Sequence, residues 1–344
     1  MLTNESHAFR LASAHLRTLI SAQIVDLESD LEIVEFGSAV GAVVNGIAWA
    51  LLIDRHDRGL GPAMIWALRS GAAELKIFTQ FNAGDLARRA RFFNFKIEIF
   101  EITKDIATSA VLAAPSDIEA LEVSPADELF AEFIKSSGAD LTREHGVLAG
   151  EVCGLEVCRV VHDVSDNGID ESILEIGTGT HDREMFKMLH GRTATLESLR
   201  KVVVDVSSKR VAGLIPHPLN QLGRERLLRH LLCASPDLVD AVSLQSAAPA
   251  MPRANLKDSV PCCAQGILKN GAAVVAIFSI GVDPDVVAFG ADARQQIDQS
   301  ADLVFVSPPR DIVPAIVRLA ETLHNPARFY GCNLLDASTQ RQQD

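Results

Sequence analysis

Apolar residues recur at helical spacing over residues 8–25, where Phe9, Ala12, Leu16, Leu19 and Ile20 share one face. This predicts an amphipathic opening helix. Residues 31–36 and 43–53 have another texture, short and rich in Val, Ile and Trp with Gly and Asn between them, and read as strands joined by a turn. Pro62 then opens a helix over 62–70, at a position where no backbone donor is lost, and Gly71 ends it. Strand 74–79, helix 84–92 and strand 96–102 complete a β-α-β-α-β succession, an α/β unit of parallel character.

The pattern breaks at residues 113–138, where Pro115, Pro125 and a run of acids predict a linker with one or two solvated helices. It resumes as a hairpin over 147–161 turning at Cys153 and Gly154, then a strand at 172–176 and helices at 182–190, 195–208 and 219–233. Strand 274–278, helix 284–299, strand 303–306, helix 312–323 and strand 328–330 repeat the β-α-β-α-β order at the end. No segment recurs at a fixed period. The expected architecture is α/β with two domains. An opening helix (1–30) leads into an α/β half-domain (31–112), an acidic linker (113–146), a larger three-layer α/β domain (147–335) and a polar tail (336–344).

Composition narrows the function classes. With 344 residues, 48% of them apolar and 22% charged, the chain can build its core without disulfides or metals. The balance of 32 Lys+Arg against 45 Asp+Glu, a net −13, argues against a nucleic-acid partner, because counterion release needs a basic face. Much of that charge is local: residues 116–156 hold ten Asp/Glu and two Lys/Arg. The six cysteines form no Cys-x-x-Cys pair, so zinc-finger spacing is absent and no metal site is assigned. The N-terminus lacks the basic-then-apolar order of a signal peptide, and the apolar run 39–53 is broken by Gly41, Asn45 and Gly46 and too short for a bilayer. The expectation is a cytoplasmic chain with reduced thiols, no membrane partner and a small-molecule ligand; the oligomeric state stays open.

The first candidate site is the turn DRHDRGLGPAM between the strand ending at Ile53 and the helix of Pro62. A strand feeding a glycine turn and a helix N-terminus directs backbone N–H groups and a helix dipole toward an anion such as a pyrophosphate. Gly59 and Gly61 permit close approach and Arg58 adds charge; the alternative is a tight turn that is purely structural. Residues 47–102 resemble the second half of a GNAT-type acyltransferase. In that family a strand is followed by Gln/Arg-x-x-Gly-x-Gly/Ala opening a helix, here HDRGLGPA, then a strand, here 74–79, with an Asn near its end, here Asn82. A short helix and a Gly-Phe before the next strand correspond to Ala87–Arg91, Asn94-Phe95 and KIEIFEI.

The resemblance implies acetyl-CoA or another acyl-CoA bound at Arg58, Gly59, Leu60, Gly61, Ala63 and Asn82, with transfer to an amine. It also departs from the family. His56 stands where Gln or Arg is preferred, Arg91 where a Tyr commonly protonates the thiolate, and Asn94 where Gly is usual; Tyr330 is the only tyrosine. No catalytic residue is assigned, and a degenerate member that only binds acyl-CoA fits equally.

A second loop, ILEIGTGTHDREMFKML, looks like the first motif of Rossmann-type methyltransferases, which would seat S-adenosylmethionine at Glu175, Gly177 and Gly179. The acid expected on the following strand, Asp205, comes 28 residues after Gly177, later than the roughly 20 of such fingerprints, and lies in a segment with helical spacing. Glu175, His181, Asp182 and Glu184 could alternatively hold a divalent metal, or Asp182 could simply cap the helix. Asp283 and Asp285 end a strand and could hold a metal-bound phosphate, although Asp followed by Pro284 is also a helix start. Arg224, Arg226, Arg229 and His230 lie on a leucine-bearing helix and either stay solvated, bind a phosphate or pair with the acidic stretch 116–156. Cys262 and Cys263 fall in a loop-like stretch with no His positioned by sequence to activate them. The remaining alternative is a non-enzymatic scaffold or interaction protein.

Overall fold

A computed structural model describes residues 2–24, 31–53, 58–114, 122–164, 168, 170–191, 194–210, 217–252 and 260–333. The polar tail, His56 and much of the expected linker lie outside these residues. The chain is mixed α/β, with three sheets among the described residues, and no helix among them is long and apolar enough to cross a membrane. It divides into two compact units. The first comprises 1–115, 282–292 and 313–327, and the second comprises 116–281, 293–312 and 328–344.

In the first unit, α1 (Leu2–Ser21) precedes β1 (Val34–Phe36), β2 (Ala39–Val44), β3 (Ile47–Leu52), α2 (Leu60–Arg69), β4 (Glu74–Thr79), α3 (Ala83–Ala90), β5 (Lys96–Thr103) and β6 (Ile106–Ser109). These strands form one sheet in sequence order. β1, β2 and β3 run antiparallel, β3, β4 and β5 parallel, and β6 returns antiparallel. The stretch expected as one strand at 43–53 is thus a hairpin, because Asn45 and Gly46 both adopt positive φ and turn the chain. Leu16 and Ile20 of α1 pack on Val40, Trp49, Phe78 and Phe100 of the sheet. α2 starts at Leu60 rather than Pro62, and Gly71, at φ +71, follows its end.

The second unit holds two sheets. After α4 (Pro125–Glu128) and α5 (Ala131–Ser136), β7 (Asp140–Glu144), β8 (Val147–Val152), β9 (Leu155–Val164) and β10 (Asp170–Ile176) form an antiparallel meander. The segment expected as linker therefore ends in an edge strand, and Ile134 of α5 is fully buried in the meander's core. α6 (Thr180–His190), α7 (Leu196–Lys209) and α8 (Arg224–Ala234) follow. The other sheet runs β11 (Ala241–Ala247), β12 (Cys262–Leu268), β13 (Ala273–Phe278), β14 (Asp302–Ser307) and β15 (Arg328–Gly331). Its crossovers contain α9 (Val286–Ile297) and α10 (Pro314–Glu321). Where one larger three-layer α/β domain was expected over 147–335, the second unit holds two sheets, and residues 282–292 and 313–327 belong to the first unit. The expected loop at Cys262 and Cys263 is corrected by β12, which pairs with β11 and β13 and whose Cys262, Cys263, Ala264 and Leu268 are buried.

The succession helix, three antiparallel strands, helix, parallel strand, helix, parallel strand occurs twice: α1 to β5, and α8 to β15. The pairing directions agree strand for strand. Both second hairpins turn at Asn-Gly, at 45–46 and 270–271. The chain therefore repeats a topology without repeating a sequence period, since a sheet demands a pattern of apolar positions and not particular side chains.

Candidate functional site

Each expected residue of the first glycine turn is ordered by the chain itself. Gly59 caps α2 with φ +116, a conformation that favours glycine. Its N–H donates to Asp285 Oδ2 at 2.9 Å, and the Gly61 N–H donates to Asp285 Oδ1 at 2.7 Å. The Asp285 carboxylate thus fills the seat expected for a pyrophosphate, with the α2 dipole behind it. A Cβ on Gly61 would stand 2.4 Å from the Pro284 backbone, so this glycine serves close packing. Arg58 meets Asp283 at 3.2 Å, Leu60 and Ala63 are buried in the core, and Asn82 begins α3 with φ +52. The amides expected to receive a pyrophosphate donate to that carboxylate in this structure. Burial pushes the Asp285 carboxyl up to about 6, aided by the charge of Asp283 and opposed by the two amides and Arg58. Asp283 also accepts from the Asp285 N–H at 3.0 Å, as the capping alternative requires.

The second glycine loop is also closed. β10, which leads into it, is the edge of an antiparallel meander, where a Rossmann loop needs a parallel strand. Glu175 pairs with Arg183 of α6 at 3.3 Å, and Arg183 also reaches Glu156 at 3.0 Å. A Cβ on Gly177 would lie 2.7 Å from the Arg183 nitrogen, and Gly179 is extended at φ +173. Asp205 lies on α7, paired with Lys209. Asp182 sits in the first turn of α6 and accepts from Thr178, so it is not the N-cap. Among the described residues no three His, Cys, Asp or Glu side chains are grouped to hold a metal.

The charged helix behaves differently from a solvated one. Arg226 and Arg229 of α8 are buried, at 6% and 2% exposure, beside the equally buried Glu151. Arg229 donates to Glu144 at 2.8 Å and to Glu151 at 2.9 Å, and Arg226 pairs with both carboxylates as well. The acidic stretch and the arginine helix are therefore partners inside the second unit. Burial alone would raise the Glu144 carboxyl, but the two guanidiniums outweigh it and hold it at about 2.

One turn along α8, His230 Nδ1 lies 2.8 Å from Asp140 Oδ2 at the start of β7. Burial opposes the charge on His230, yet Asp140 and Cys153 raise it to about 9. A cavity of about 350 Å³ adjoins this group, lined by Asp140, Thr142, Glu151, Arg229, His230 and Ser246 among others. The cysteines singled out by sequence are unsuited to attack: burial pushes the Cys262 thiol up to about 12 and Cys263 well above its ordinary value. The sequence signal that could have found the other group is the turn-forming pair Cys153-Gly154 facing a helix of mixed Arg and His, but their proximity spans the β7–β9 meander and α8. No protein-family model matches this sequence, and no curated protein matches it.

Proposed function

We propose that the chain is a binding protein whose ligand seat is the 350 Å³ cavity of the second unit. The observation that carries this reading is the cavity wall, where the Asp140–His230 and Glu151–Arg229 pairs set opposite charges side by side. Convergent polar groups and a perturbed histidine beside one concavity are the usual marks of a ligand site. A small zwitterion suits such a wall, since each of its charges meets a partner. A polyanionic nucleotide would meet the carboxylates of Asp140 and Glu151. Thr142 and Ser246 supply neutral hydrogen bonds for orientation. The six free cysteines support a reducing, cytoplasmic setting.

Thermal and calorimetric titration with amino-acid-sized zwitterions, acetyl-CoA and S-adenosylmethionine tests the reading. A zwitterion is expected to stabilise the protein by about 2.7 kcal/mol at a hundredfold excess over Kd. Thr142→Val and Ser246→Ala should weaken that effect, and failure of every zwitterion to bind defeats the proposal. An acyl-CoA site at Arg58–Gly61 is the second reading, favoured by the order of strand, glycine turn, helix, strand, helix and strand over 47–103. It requires Asp285 to leave the Gly59 and Gly61 amides, and Arg58→Ala should then weaken acetyl-CoA binding.

A further inference from the structure

We propose that the solvent face of α6 and the groove beside it, shared with α7, receive a basic amphipathic helix of another protein. α6 buries none of its own residues. Met185, Met188 and Leu189, at i, i+3 and i+4, form an apolar stripe turned to solvent, with Met188 80% and Leu189 72% exposed. A lone exposed apolar side chain is ordinary, but a contiguous strip rimmed by polar residues marks an interaction surface. Methionines suit such a surface because their unbranched side chains adapt to the partner.

Beside the stripe lies a groove of about 540 Å³ between α6 and α7. Phe186 and Val202 line it with apolar surface, and the Phe186 and His190 rings lie 4.5 Å apart along it. At about 1.5 Å per residue, α6 offers about 16 Å of wall and α7 about 21 Å, the length of three to four helical turns. A helix laid in such a groove anchors through apolar residues on one face.

The rim selects the sign of the partner. Asp182 and Glu184 flank the stripe, and Glu197 and Asp205 line the groove. Lys201 and Lys209 answer two of these acids, pairing with Glu197 at 2.8 Å and with Asp205 at 2.6 Å. Both pairs are exposed and therefore weak, so cations of a partner can replace them, and the rim keeps an excess of negative charge. Lys187 is engaged away from the rim, with Asp163 at 2.7 Å. Lysines or arginines on the polar side of the incoming helix meet these carboxylates, and the net −13 of the chain steers them in. Neither α1, packed on the first sheet, nor α8, packed on the β11–β14 core, supplies that helix. The groove shares no residue with the 350 Å³ cavity, so the two sites are separate.

The test is fluorescence anisotropy of the full chain with a labelled leucine–lysine peptide, about 14 residues patterned as an amphipathic helix, and its leucine–glutamate analogue. The lysine peptide should bind at least about tenfold more tightly than the glutamate analogue, and its affinity should fall as NaCl rises from about 50 to 300 mM. Met188→Ser combined with Leu189→Ser should weaken binding about tenfold, and Glu184→Lys, which leaves the stripe intact, about threefold. Leu11→Ser, at an exposed leucine of α1, should leave it unchanged. Circular dichroism checks that each variant is folded. Failure of the lysine peptide to bind, equal binding of the glutamate analogue, or an affinity unmoved by the stripe variant or by Glu184→Lys overturns the proposal. So does a dimer of the free chain in sedimentation that the stripe variant dissolves, since the face then belongs to a second copy.

Discussion

Asp285 concentrates the energetics of the first unit in one carboxylate. Two amides of the α2 N-terminus donate to it, yet burial raises its pKa from 3.8 to about 6. A folded-state pKa above the ordinary one means that this group's contribution is fully present below about pH 4 and is lost as pH rises through 6. A shift of this size corresponds to up to about 3 kcal/mol. Urea unfolding of the wild type and Asp285→Asn from pH 4 to 7 should show the wild type losing stability relative to the variant as pH rises; parallel curves contradict this. The glycines and the aspartates were both legible in the sequence as turn and cap residues. Their meeting was not, because 224 residues separate Gly61 from Asp285.

At the scale of elements, α8 shows how a helix that reads as amphipathic can bury its charged side. Its leucines, Leu227, Leu228, Leu231 and Leu232, pack against the β11–β14 core. Its arginines insert between that packing and the carboxylates Glu144 and Glu151 of β7 and β8. Removing one member of such a set leaves a buried charge short of a partner, which costs about 3–5 kcal/mol. Arg226→Met should therefore lower the unfolding free energy by that amount in denaturant titration. A loss under 1 kcal/mol would mean the cluster reorganises freely. The strands and helices of this region were legible from spacing, except β7, whose charged residues 140–144 fell in the expected linker, and β11 and β12, where polar residues such as Gln245 and Gln265 interrupt the apolar alternation.

For the whole molecule, the consequence is a first unit that the leading 115 residues do not complete. Residues 282–292 supply Asp285 and Asp292, and Asp292 is fully buried against Arg88 at 2.8 Å and Arg89 at 3.1 Å. Residues 313–327 supply the Thr322 carbonyl, which accepts from the Asn94 N–H at 2.6 Å, and the His324 N–H, which donates to Phe92 at 2.9 Å. A fragment of residues 1–115 leaves these groups unmatched, so it should lack a cooperative thermal transition by circular dichroism. A sharp transition in that fragment would show that the later segments are dispensable.

The sequence alone determined the α/β class, the order of most elements and the two β-α-β-α-β stretches. Helical and strand periodicities and helix-ending glycines are local, and local patterns need only neighbouring residues to be read. Tertiary structure decided what the charged and glycine-rich motifs meet. Whether a backbone amide faces solvent or a carboxylate, and whether an arginine is wet or locked between two glutamates, depends on distant segments brought within 3 Å by packing. The pairing of His230 with Asp140 belongs to the same class, arising where a helix and an edge strand converge in the second unit.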